Sequence, residues 1–198
     1  MTNRREFLLI GVGATAWPLV AGAAHAAGVE TGSGSTPLSA VVYDSRFADS
    51  VAFARRSEAL GVRACAIEAD MTRLWYDEIH QLWQRGPAAI AGLTAYGPLF
   101  CFAELARDVR MRVVFRAEHR TAPSGGTHAL SGPMPMVADA LRACRREASL
   151  GAGMADVVVQ CPSGRVEIAS AAIDEGAPIA AIDDELLYTW VIAPAAKG

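Results

Sequence analysis

The chain has 198 residues and a formal net charge of −3, with 52% apolar and 20% charged residues. That is long enough to bury a substantial core. Its 18 lysines and arginines are scattered, which argues against the basic face that nucleic acid or an anionic membrane surface requires.

The N-terminus reads Asn3-Arg4-Arg5-Glu6-Phe7-Leu8, then a modestly apolar stretch to Ala24 interrupted by Gly11, Gly13, Pro18 and Gly22. It closes on Ala24-His25-Ala26, an A-x-A cleavage pattern. The stretch is shorter and less apolar than a membrane-spanning helix needs, and no cysteine stands at the cleavage point for a lipid anchor. Residues 1–27 resemble a twin-arginine (Tat) export signal. Asn3 stands where Ser or Thr is common and Leu9 where Lys is common, but the arginine pair is intact. The resemblance implies a periplasmic protein with no membrane anchor after cleavage, which folds before export. Such passengers often carry a cofactor or leave as the partner of a chain that does. Residues 28–37 (GVETGSGSTP) read as a flexible Gly/Ser/Thr-rich linker, and 38–198 as a single domain.

Within that domain, β-like and helical runs alternate. Residues 38–43 (LSAVVY) form a strand, and 45–60 an amphipathic helix through Phe47, Val51 and Ala54, with Gly61 at its end. Residues 62–67 give a second strand. A second helix follows over 72–84, with Trp75, Ile79, Leu82 and Trp83 on one face and Gly86-Pro87 as its stop. Strand 88–93, helix 98–109 and strand 111–117 come next. Three successive βα units predict a three-layer α/β fold, Rossmann-like or flavodoxin-like, with a mostly parallel sheet. Residues 118–133 read as a long Gly/Pro/Thr-rich loop, 134–150 as a helix and 156–160 (DVVVQ) as a fifth strand. The tail from Arg165 predicts a β-hairpin-like antiparallel extension at one sheet edge, turning at Asp183-Asp184.

The ends of parallel strands gather ligands, which singles out Asp44, Ser45 and Arg46 after strand one, Asp70 after strand two, and Thr94, Tyr96 and Gly97 after strand three. Helix capping accounts for several of these equally well. It accounts less well for Glu118 and His119, which precede a loop and make a candidate acid–base pair. No G-x-G-x-x-G, G-x-x-x-x-G-K-[ST] or G-x-S-x-G motif is present. Gly92-Leu93-Thr94-Ala95-Tyr96 lacks the second glycine of a nucleophile elbow, so covalent catalysis is not expected. His119 and His128 flank the loop, but a metal needs three or four converging ligands; no metal and no cofactor are predicted. Cys65, Cys101, Cys144 and Cys161 lie far apart in apolar segments without a C-x-x-C, which excludes zinc-ribbon and thioredoxin-type motifs.

Two functions fit this reading. One is a non-covalent binding or accessory module for a periplasmic protein partner, such as a redox enzyme, or for a small anionic ligand. The other is a small-molecule hydrolase, lyase or isomerase using His119 with Glu118 or Asp44.

Overall fold

The computed structural model describes residues 36–68, 70–122, 125–145, 149–163, 166–174 and 186–194. The predicted export signal, most of the predicted linker and the Asp183-Asp184 turn lie outside them. The described end of the linker is docked: the Thr36 amide donates to the Cys161 carbonyl at 2.7 Å.

Seven strands form one mixed sheet in the order β2-β1-β3-β7-β4-β5-β6. They are β1 (Leu38–Asp44), β2 (Ala64–Ile67), β3 (Ala89–Thr94), β4 (Met111–Ala122), β5 (Gly125–Pro133), β6 (Ile168–Asp174) and β7 (Leu186–Pro194). Only β1–β2 and β1–β3 are parallel pairs; β3–β7, β7–β4, β4–β5 and β5–β6 are antiparallel. The α/β class and the first three βα units are as predicted. The mostly parallel sheet is not, and the topology is not clearly Rossmann-like.

The difference has a physical cause in β7. Every residue from Leu187 to Ala193 is buried, so both faces of this strand are covered. A strand of that kind belongs in the sheet interior, and β7 lies between β3 and β4 rather than extending an edge. The edge role falls to β6, whose side chains alternate between exposed and half-buried.

Helices cover both faces. On one side α1 (Ala48–Ala59), α5 (Met134–Cys144) and α6 (Leu150–Val158) pack on Val41, Leu93, Phe115, Leu130 and Val191. On the other, α2 (Met71–Leu74), a π-helical turn (Trp75–Ile79) and α3 (His80–Gln84) run on from one another. With α4 (Tyr96–Asp108) they pack on Val42, Ile67, Ile90, Trp190 and Ile192. No described helix is long and apolar enough to cross a membrane.

Two further expectations are corrected. The predicted strand 156–160 is largely the end of α6, which buries Gly151, Met154, Ala155, Val157 and Val158; burial on nearly all sides overrides the β preference of its valines. A Cβ on Gly151 would overlap the Asp49 backbone of α1 and lie 2.9 Å from the Phe53 nitrogen, so that glycine sets the close α1–α6 approach. The predicted loop 118–133 is the β4–β5 hairpin, paired from Arg116↔Ser131 to Ala122↔Gly125. Gly132, at φ 154°, lies against the bulge in β4: a Cβ there would be 3.0 Å from the Val114 carbonyl.

Helix α1 buries Ser50, Phe53, Ala54 and Ser57, a face rotated from the predicted Phe47–Val51–Ala54 line. Ser50 Oγ donates to the Leu93 carbonyl. Ser57 Oγ is buried without a hydrogen-bond partner among the described residues. Replacing Ser57 with alanine removes an unsatisfied hydroxyl from a helix interior, so Ser57→Ala is expected to raise stability by up to about 1 kcal/mol. Urea denaturation checks this; a loss of stability would mean that the hydroxyl is satisfied.

Candidate functional site

Because β7 is antiparallel to both β3 and β4, strands β1 to β4 still run in one direction and their carboxyl ends share an edge. The predicted polar residues at that edge are mostly committed to internal contacts. Asp44 is fully buried, and its oxygens accept from Arg46 Nε at 2.9 Å, Arg46 Nη2 at 2.6 Å and the Arg46 amide at 3.1 Å. Burial alone would raise the Asp44 pKa, but the hydrogen bonds and charge of Arg46 together hold it below the usual carboxylate value. Arg46 is thereby occupied by its own neighbour, and Ser45 is exposed beside it.

Asp70 caps α2, accepting from the Thr72 amide at 2.7 Å, and these hydrogen bonds lower its pKa. It also lines a shallow groove along β2 with Arg63, Glu68, Arg73, Asp77 and Glu78. Ion pairs Arg63–Glu78 and Arg73–Asp77 neutralise part of that lining.

Thr94 is fully buried and does not cap α4, whose N-cap is Ala95. Its hydroxyl donates to the Ala95 carbonyl at 2.9 Å and accepts from Trp190 Nε1 at 3.0 Å. Gly97 is exposed, and a Cβ there would meet open space. Tyr96 is 51% exposed, beside Phe100 at 50%. Its ring lies 5.5 Å from that of Tyr188, and Arg116 stacks 5.0 Å over Tyr188 and 6.0 Å over Tyr96. Glu118 pairs with Arg116 at 3.5 Å. Burial first, then the charge of Glu118, raises the Tyr188 pKa against the pull of Arg116.

Glu118 and His119 are not brought together. They are successive residues of a strand, so their side chains project from opposite faces. Glu118 joins the Tyr188 group on the α4 side. His119 shares the other face with Phe115 and Ala117, residues packed in the α5–α6 core.

There it meets residues that the sequence reading did not combine. His119 is fully buried and His128 is 5% exposed. The two are direct cross-strand partners in β4 and β5, with Nδ1 atoms 3.0 Å apart. His119 Nε2 lies 2.8 Å from Thr189 Oγ1 on β7. Burial, then the neighbouring His128, depresses the His119 pKa to about 3, so its imidazole is neutral at ordinary pH. Cys144, at the end of α5, completes a cluster whose three donor atoms lie within 4.8 Å of one another.

Comparison of the chain with protein families, with curated proteins and with solved structures gave no match.

Proposed function

We propose that the chain is an exported, non-catalytic binding or accessory module whose partner is another periplasmic protein, of the redox-enzyme kind that twin-arginine passengers accompany. The observation that carries this reading is the Tyr96–Phe100–Arg116–Tyr188 group at the carboxyl edge of the sheet. Two aromatic side chains one helical turn apart are half exposed, and an arginine stacks across two tyrosine rings. Tyrosine and arginine are the residues that carry binding energy in protein interfaces, and an exposed aromatic cluster needs a reason. A small anionic ligand is the weaker reading, since Arg46 spends its charge on Asp44.

The test places a photo-crosslinking residue at position 96 or 100 of the chain expressed in its native periplasm. One defined product is expected at these positions and none at Arg55, which is exposed on α1. Tyr96→Ala combined with Phe100→Ala should lower partner recovery at least ~10-fold while leaving the melting temperature nearly unchanged. Recovery of a lone monomer with catalytic turnover from that periplasm would overturn the reading.

A further inference from the structure

We infer that His119, His128 and Cys144 form a binding site for one late first-row transition-metal ion, zinc or copper. The site is distinct from the proposed docking patch, which lies on the other face of the sheet, and it does not depend on that reading.

Three elements converge to build it. His119 and His128 face each other across the β4–β5 ladder, and the end of α5 brings Cys144 to them. Around one tetrahedral ion, with nitrogens at about 2.0–2.1 Å and sulfur at about 2.3 Å, donor atoms sit roughly 3.3–3.8 Å apart. The histidine nitrogens are 3.0 Å apart and the whole set fits within 4.8 Å. Shifts of tenths of an ångström to about 1 Å would seat an ion. Two imidazoles and a thiol form a nitrogen–sulfur donor set that zinc and copper favour and that magnesium and calcium avoid.

The surroundings prepare the ligands. When His119 donates its Nε2 proton to Thr189, its Nδ1 lone pair faces His128 and the cluster; outer hydrogen bonds of this kind fix the tautomer of metal-binding histidines. His128 packs on Gly126, where a Cβ would lie 3.2 Å from its Nε2, so the ring is seated by the absence of a side chain there. Binding releases one proton to solvent, that of the Cys144 thiol, while the Nδ1 proton that His128 shares with His119 shifts to Nε2 of the same His128 ring.

Cobalt(II) is the probe, because thiolate coordination gives it a near-ultraviolet charge-transfer absorption. The purified chain is expected to hold one cobalt per molecule with that absorption, and zinc or copper(I) should displace it. Cys144→Ser should abolish the absorption, whereas Cys161→Ser, a buried cysteine outside the cluster, should keep it. Thr189→Val, which loses a positioning hydrogen bond, should weaken binding about 10-fold. Circular dichroism establishes that each variant is folded. For the wild-type chain alone, bound zinc should slow alkylation of Cys144, read by mass spectrometry. The inference fails if the folded wild-type chain retains no ion through gel filtration. It also fails if Cys144→Ser binds cobalt with an unchanged spectrum, or if zinc leaves the alkylation rate of Cys144 unaltered.

Discussion

Gly92→Ala is expected to lower the unfolding free energy by about 3 kcal/mol, more than a single methyl group usually costs. Gly92 on β3 pairs directly with Trp190 on β7, and the indole lies across the bare backbone. An alanine Cβ would overlap that ring, with Cε2 at 2.6 Å, and would sit 2.9 Å from the Val42 carbonyl on the next strand. The indole has no easy retreat. Trp190 is fully buried, its Nε1 donates to Thr94 at 3.0 Å, and Phe102 of α4 stands with its ring 5.8 Å away. Overpacking costs about 1–3 kcal/mol, and losing the buried Trp190–Thr94 hydrogen bond adds on the order of 1 kcal/mol. Denaturant unfolding measures the sum, and the near-ultraviolet signal of Trp190 should broaden. Trp190→Phe is costly by itself but should make Gly92→Ala less costly, giving a coupling energy of about 1 kcal/mol or more in a double-mutant cycle. A Gly92→Ala variant within ~0.5 kcal/mol of wild type would show that the strand pair has slack.

The same contact explains why the stretch AGLTAYGP was ambiguous as sequence. Its small residues resemble a turn built to admit a ligand, whereas the space over Gly92 admits a tryptophan almost 100 positions away. Local pattern located β1, β2, β3 and the helices between them to within a few residues, because each carries its own period and stop signal. The partner across β3 was the hidden part. The run Leu186 to Pro194 is apolar at nearly every position, the signature of a strand covered on both faces, but nothing local names its neighbours. Local pattern ends β4 at Ala117, short of its observed end at Ala122, because the following residues are polar, glycine-rich or small. On an exposed face, threonine, serine and alanine suffice for a strand: Thr127, Ala129 and Ser131 carry the outer face of β5.

The candidate sites divide along the same line. Tyr96 and His119 were legible as residues, but their companions were not. His119 and His128 stand at matching distances from the Ala122↔Gly125 pair, so a hairpin closing between them puts the two opposite each other. The Gly/Pro/Thr-rich composition of 118–133, which resembles a loop, masks that signal. Cys144 and Thr189 had no comparable signal, since their approach depends on how α5 and β7 dock. Glu118 and His119, adjacent in sequence, are separated by the simplest rule of a strand, which sends neighbours to opposite faces.

Acidification of the metal-free chain should reveal what the burial of His119 costs. Its folded-state pKa lies near 3, against 6.5 for an unperturbed histidine. A depressed pKa means that the unfolded chain binds the proton first, so stability is complete above pH 6.5 and falls as pH drops. The slope is about 1.4 kcal/mol per pH unit, and it ends near pH 3, where the folded form accepts the proton as well. The loss from this one group is on the order of 5 kcal/mol, a large share of the stability of an ordinary domain. Carboxylates contribute acid sensitivity of their own, Asp44 among them through its Arg46 pairing, and a variant separates the two. His119→Leu should cost about 1–3 kcal/mol at pH 7 because Thr189 and His128 lose a partner. Between pH 6 and 4 its stability should then decline less steeply than that of the wild-type chain, by about 1 kcal/mol per pH unit. Urea unfolding of both proteins at pH 7, 6, 5 and 4, with chelator present, gives the two slopes directly. Parallel slopes would mean that His119 takes up its proton while folded, and hence that the imidazole pair can open to solvent without unfolding the sheet around it.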